Sequence, residues 1–439
     1  MNVSIKKFIF TKYACDGTFE KKSTREVKMK NGTLGPFLLS GLMIGPILGS
    51  GVILLPPMAF QKIGSYAIWA WIVIMTLGGF FAAAFAQLAI AFPGKEGASR
   101  AVRAAFGPAV GQLASNFIIS AVCAGPVAVL ATAATEVARA CQLPGHHIPA
   151  ITGCLLICCL VLLLRNVRTV GKAALVCSSI IAAVLITGSA LTIAGGYSTS
   201  GVDAEIDPFS FGQVLLLLFW TIIGWEIIGN YSSEVKKPRK TIPRATAMSV
   251  GAISGIYLLV AWAIHVCSAD TPGITDIVTP LLGPLSPVVL SVITVLLCVT
   301  TYLMIVGGIT RLVSSLADEG RLPAFLGKSN VNGSPVYSIF FFGVIHVLII
   351  SLLQLDVLHL EQIISFANVF FIANALVCIL AAVRLLDSML LKLSGGVLIT
   401  GFVVLLCFSS PWILLLMLLI TLTTMLHDKI RNQSKRIYE

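Results

Sequence analysis

Charge is scarce in this chain, and acid is the scarcest: 19 Asp and Glu face 30 Lys and Arg in 439 residues, and the four types together make up 11%. Soluble domains carry about 25% charge. At 57% hydrophobic residues and a mean hydropathy of +0.95, this chain reads instead as a polytopic membrane protein. The eleven cysteines lie mostly in apolar runs, and the nearest approach to a cluster, Cys154, Cys158 and Cys159, has no His or carboxylate beside it. Helix-packing filler is the expectation for them, and no metal or cofactor is expected. A membrane enzyme would need nucleophiles, acids or metal ligands grouped at membrane depth, and a channel would need rings of charge along a polar pore. Neither pattern occurs. Residues 1–32 are basic and contain no apolar h-region, so they are expected to form a cytoplasmic tail and not a signal peptide, with Met29 a candidate start codon.

Long uncharged runs are what the chain does have. A spanning helix needs about 20 apolar residues, and on that basis spans are expected at 36–58, 66–92, 109–138, 147–164, 172–195, 211–233, 244–267, 283–316, 335–354, 360–385, 394–409 and 411–427. With about twelve such helices, every Lys and Arg except Lys62 and Arg139 falls on the side of the N-terminus. Both termini are therefore expected in the cytoplasm, in a cytoplasmic or inner membrane. The net charge of +11 then follows from topology and inner-leaflet contact, and no nucleic-acid partner is needed to explain it.

Within the first uncharged run, Gly49-Ser50-Gly51 interrupts the helix. Unwound backbone at membrane depth is tolerated where it lines a cavity or is buried in protein, so the break marks a candidate binding site. In span 6, Ile223-Gly224 interrupts another apolar segment, just before the intramembrane acid Glu226. Paired interruptions five helices apart predict an all-α fold of two inverted five-helix repeats, 33–200 and 201–388, followed by helices 11 and 12 at 389–428 and a short tail at 429–439. Free N–H groups where the second half of helix 1 begins suit a carboxylate. Free carbonyls at the ends of the first halves of helices 1 and 6 suit an ammonium group. Together they describe a receptor for a zwitterion, built from backbone around Gly49, Ser50, Gly51 and Gly224.

Further residues carry two readings each. Pro126, after Gly125, frees a carbonyl in span 3 and either shapes a cavity wall or makes a packing kink. Glu226 is either a protonation site coupled to opening or a structural acid. Glu136 is expected to pair with Arg139 one turn away. His265 and His346 are expected to be satisfied hydrogen-bonding histidines. The basic segment from Glu234 to Arg244 and the group Asp318, Glu319 and Arg321 serve either as positive-inside anchors or as salt bridges closing an inward gate.

Four stretches in order, Gly49-Ser50-Gly51-Val52-Ile53-Leu54-Leu55-Pro56, Phe219-Trp220-Thr221-Ile222-Ile223-Gly224-Trp225-Glu226, the run from Glu234 to Ala245, and Ala317-Asp318-Glu319-Gly320-Arg321-Leu322-Pro323, resemble the amino acid–polyamine–organocation superfamily of transporters over about residues 33–427. The resemblance implies a secondary transporter of amino acids. In it the Ser50 and Gly51 amides hold the substrate carboxylate, and the carbonyls of Ile47, Trp220 and Ile223 hold its amine. Trp220 is a thin outer gate on that reading and interface filler on the plainer one. Where arginine–agmatine antiporters place a stacking Trp and an Asn, this chain aligns Ile305 and Pro126. The form Phe-Trp-x-x-x-Gly-x-Glu is more similar to bacterial methionine and branched-chain amino acid exporters, as is, more weakly, the run Phe366 to Ile372.

The resemblance therefore implies export or exchange of Met, Leu, Ile or Val. An arginine–agmatine type of antiporter and a non-transporting amino acid receptor of the same fold stand as alternatives. Some proton-coupled relatives carry a lysine deep in helix 5, but here Lys172 sits at its mouth. Sodium coupling, with Thr300 or Thr301 as ligands, and uncoupled exchange stay open beside proton coupling.

Overall fold

The computed structural model describes residues 34–93, 97–165, 170–195, 207–225, 228, 232, 235–267, 272–330 and 333–438. The tail before them, Glu226 and Glu234, and the side chain of Lys172 lie outside the described residues. Among the described residues there is no strand, only an isolated parallel bridge between Leu34 and Val235. The helices are α1 (Pro36–Leu48), α2 (Gly51–Ile63), α3 (Ala67–Ala91), α4 (Gly97–Phe106), α5 (Pro108–Ala140), α6 (Ile148–Leu163), α7 (Val170–Ala194), α8 (Pro208–Leu218), α9 (Pro238–Val266), α10 (Ile274–Leu282), α11 (Ser286–Asp318), α12 (Val336–Gln354), α13 (Leu360–Leu385), α14 (Met389–Cys407) and α15 (Pro411–Tyr438). Among the described residues nine helical stretches are long and apolar enough to cross a membrane, joined by three shorter apolar helices at 36–45, 178–194 and 208–222. The protein is a multi-pass, all-helical membrane protein.

Proline and glycine punctuate these helices where their backbone chemistry favours a boundary. Pro36, Pro108, Pro208 and Pro238 stand in first turns, where a missing N–H costs nothing. Gly64 (φ 54°) and Gly283 (φ 53°) close α2 and α10 in the left-handed region that favours glycine. Asp207 caps α8, accepting from the amides of Phe209 and Ser210 at 3.1 and 3.0 Å and from the Ser210 hydroxyl at 2.6 Å. Those bonds, the hydroxyl's first, hold its carboxyl below the ordinary aspartate range.

Two expectations need correction, and two short helices lie outside the expected spans. The segment expected as a loop up to Arg244 is helical from Pro238, because Pro238 supplies a preformed first helical residue and the Thr241 hydroxyl ties back to the Lys236 carbonyl at 2.5 Å. The first half of span 6 ends as an α-helix at Leu218, one turn before the expected interruption at Ile223-Gly224, and tightens into a 3-10 turn over Phe219–Ile222. The short helices α4 and α10 were not foreseen, since neither is long enough to span. α4 is held instead by one face, where Ala101, Val102 and Ala105 are buried, against α5 and α13.

The core sits around α5, which packs on α11, α13, α6 and α12. Of its apolar window 78% is buried, against 11% for that of α15, so α5 is the inner post and α15 a lipid-facing one. The broken pair lies beside it, with α1 against α7 and α9, and α2 against α8 and α9.

Candidate functional site

The first break is two residues long. Gly49, at φ 37° and ψ −142°, ends α1 with its amide on the Gly45 carbonyl at 3.0 Å, and Ser50 caps α2, its carbonyl accepting from Ile53 and Leu54 at 3.2 and 3.1 Å. No backbone carbonyl among the described residues accepts from the Ser50 or Gly51 amide. Both belong to the group of N–H donors that the start of any helix leaves without an intrahelical partner. Ser50 is 2% exposed, so these donors sit inside the protein.

The second break faces the first. After the 3-10 turn, Ile223 is extended (φ −69°, ψ 134°) and Gly224 takes φ 118°. A Cβ on Gly224 would stand 2.9 Å from Ile47 Cγ1, so the end of α1 is seated on that glycine. Trp220 Nε1 donates to Ser50 Oγ at 3.3 Å and joins the two breaks directly. Gly51 leaves similarly little room: a Cβ there would lie 2.8 Å from Tyr257 Oη, 3.4 Å from Trp220 and 3.5 Å from Thr221. The Trp220 ring also rests on α5 and α13. A Cβ on Gly125 would meet its edge at 3.1 Å, and Phe371 stands edge-on to it at 6.5 Å. The structure thus brings Ile47, Gly49, Ser50, Gly51, Trp220, Ile223 and Gly224 into one place. Glu226 lies outside the described residues.

Two residues at this place were not singled out for it from the sequence. Tyr257 of α9, fully buried and stacked on Trp71, shares its hydroxyl proton between the Ile47 and Leu48 carbonyls at 3.3 and 3.2 Å. One of the carbonyls expected to face an amine therefore already holds a donor, leaving its second lone pair. Asn368 of α13, equally buried, donates from Nδ2 to the Leu216 and Leu217 carbonyls at 2.8 and 3.1 Å, where α8 runs out. A tyrosine amid Ile256, Leu258 and Leu259 and an asparagine amid Val369 and Phe370 were the available signals, being isolated polar groups in apolar runs. We expect Tyr257→Phe, which strips the donor from two buried carbonyls, to cost about 1–3 kcal/mol of stability. Thermal unfolding in detergent measures it, and unchanged unfolding would show that those carbonyls find another partner.

Beside Ile223 lies a cavity of about 10 Å³, lined by Phe81, Phe85, Phe219, Ile223, Phe371, Asn374 and Ala375. That is about the room one water needs.

The remaining candidates fall away from this place. Glu136 is buried, with Oε1 on Arg139 at 3.0 Å as expected and Oε2 without a hydrogen-bond partner among the described residues. The Thr300 hydroxyl folds back on the carbonyls of Leu296 and Leu297, both at 2.9 Å. His346 bonds through both ring nitrogens, to Tyr302 and to Val122, as expected, whereas His265, expected to be satisfied likewise, has Nδ1 buried without a hydrogen-bond partner among the described residues. Arg321 and Arg103 reach Glu319 at 3.2 and 3.8 Å, and Lys62 reaches Glu361 at 2.8 Å.

The amino acid permease family profile matches residues 34–435. The L-methionine/branched-chain amino acid exporter YjeH of Escherichia coli K12 is 25% identical over 378 residues, covering 82% of this chain and 88% of its own. The cadaverine/lysine antiporter of the same organism is 24% identical over 321 residues, covering 69% and 70%. An uncharacterized amino acid permease of Bacillus subtilis, YecA, is 22% identical over 359 residues, covering 79% and 84%.

Proposed function

The chain belongs to the amino acid permease family, and from that premise we propose that it is a secondary transporter that exchanges or exports neutral, apolar amino acids, of the size of Met, Leu, Ile and Val, by alternating access. The observation that carries the proposal is the pair of facing breaks: unpartnered Ser50 and Gly51 amides beside the end of α1 at Ile47 on one side, and the 3-10 turn with Trp220 that runs out at Ile223 on the other. In this reading the amides take the carboxylate, aided by the positive end of α2, and carbonyls of Ile47, Trp220 and Ile223 take the amine. Gly49 and Gly224 allow the backbone to turn there. Nothing in this scheme calls for a covalent step.

The side-chain preference follows from the walls. Gly125, with Ala367 beside it, and Phe371 stand against the Trp220 ring, and Ile305 and Pro126 stand where arginine-handling relatives are expected to carry polar or stacking groups. A second positive charge placed among them would lack a counter-charge, and a buried unpaired charge is costly. This favours the substrates in the exporter's name over those in the cadaverine/lysine antiporter's. The breaks also meet so closely that a single added carbon would crowd Tyr257 at Gly51 and Ile47 at Gly224, so binding of an amino acid there requires them to move apart. Trp220, bonded to Ser50, is the thin gate of this scheme, and the Arg103, Glu319 and Arg321 cluster is its cytoplasmic latch, both termini lying on that side of the inner membrane. Glu226, two residues past Gly224, is its coupling residue.

Counterflow of labelled leucine in proteoliposomes tests the proposal. Excess internal Met, Ile or Val should drive uptake, while Lys, Arg and cadaverine should neither drive nor inhibit it. Flux with the cations alone would move the chain to the cationic antiporter reading. Saturable leucine binding without any flux would make it a receptor.

A further inference from the structure

The proline in α5 leaves one particular carbonyl without its donor. In an unbroken helix the Val122 carbonyl accepts the amide of residue 126, four positions on. Here that residue is Pro126, which has no N–H and whose ring crowds the same carbonyl. A buried carbonyl left in that state is destabilising. The missing donor comes from another helix: His346 of α12, fully buried, holds Nε2 3.0 Å from the Val122 oxygen. A carbonyl can only accept, so Nε2 carries the ring proton and Nδ1 is the acceptor of a neutral imidazole. Tyr302 of α11, whose hydroxyl is 2.8 Å from Nδ1, therefore donates to it. One relay, Tyr302 to His346 to Val122, binds α11, α12 and α5 together at the turn that Pro126 interrupts.

That turn of α5 adjoins the site. Gly125 precedes Pro126, and a Cβ on it would come within 3.1 Å of Trp220 Cη2 and 3.2 Å of the Ala367 Cβ. Val129, one turn further along α5, belongs to the small cluster on which Trp220 also packs. We propose that His346 is a positioning residue for the substrate site: it stands in for the N–H that Pro126 lacks, fixes the course of α5 at that turn, and so sets the wall on which Trp220 rests. The positioning role rests on the transport reading above, whereas the tie itself does not.

A double-mutant cycle between positions 126 and 346 tests this. Pro126→Ala restores an amide at 126, so the Val122 carbonyl regains its own helical donor and no longer needs His346. In the otherwise unaltered protein, His346→Phe should lower the unfolding temperature and raise the KM for leucine exchange roughly tenfold, with the maximal rate changing less. His346→Gln, whose side-chain amide can donate to Val122 and accept from Tyr302, should retain most of the affinity. In the Pro126→Ala background, His346→Phe should change KM little and lower the unfolding temperature by less, the remaining loss coming from the Tyr302 hydroxyl that loses its acceptor in both backgrounds. Equal losses in both backgrounds, or a Gln variant as impaired as Phe, would overturn the proposal. The thermal cycle needs no substrate. Thermal coupling in a protein that moves no amino acid would therefore retire the transport reading and leave the tie, and thermal coupling with an uncoupled KM would retire the positioning role.

Discussion

Gly51→Leu should abolish amino acid exchange while the protein still inserts and purifies as a folded species. The first added carbon would stand 2.8 Å from Tyr257 Oη, and the next would enter the space between Trp220 and Thr221. Overpacking costs about 1–3 kcal/mol, and each 1.4 kcal/mol is about a factor of ten in binding. A leucine adds four carbons at the point where the two breaks meet and also covers the amide assigned to the substrate carboxylate. Gly51→Ala should fall in between, with exchange reduced but measurable. Gly255→Leu, on α9 with open space around its Cα, is the control that should exchange normally. Exchange that survives Gly51→Leu unchanged would place the substrate elsewhere.

Gly224→Ala should be the next most damaging change, for a different reason. At φ 118° a side chain of L configuration is strained by about 1–3 kcal/mol whatever the space around it. The new methyl would also lie 2.9 Å from Ile47 Cγ1 and push on the end of α1. Initial rates of counterflow should fall by at least roughly tenfold. Trimming the neighbour, in Gly224→Ala with Ile47→Ala, should recover the steric part and leave the backbone part. Full recovery in the double variant would mean that contact alone, and not backbone conformation, makes glycine necessary at 224.

The two breaks were legible in the sequence because glycine is poor helix interior and the bilayer core offers an unwound backbone no water to bond. Gly49-Ser50-Gly51 and Gly224 do fall where the backbone turns. The 3-10 turn at Phe219–Ile222 was not legible, since Phe-Trp-Thr-Ile is as apolar as the helix before it. The same limit hid the roles of Tyr257 and Asn368, whose partners are carbonyls some 210 and 150 residues away along the chain, fixed by how α9 and α13 pack. The carbonyl freed by Pro126 was foreseeable from local chemistry, but its donor was not, because His346 reaches it from 224 positions further on. Counting uncharged runs found the long helices and passed over α4 and α10, which are too short for that measure.

The central claim is that backbone groups at two facing breaks hold both ends of a zwitterion. Equilibrium binding to the purified protein in detergent tests it most directly, comparing leucine with the amine that lacks its carboxylate, 3-methylbutylamine, and with the acid that lacks its amine, 4-methylpentanoate. The account predicts saturable binding of leucine, at least roughly tenfold weaker binding of either half-ligand, and loss of leucine binding in Gly51→Leu. Binding of 3-methylbutylamine as tight as that of leucine would contradict it, because the Ser50 and Gly51 amides would then have no carboxylate to hold.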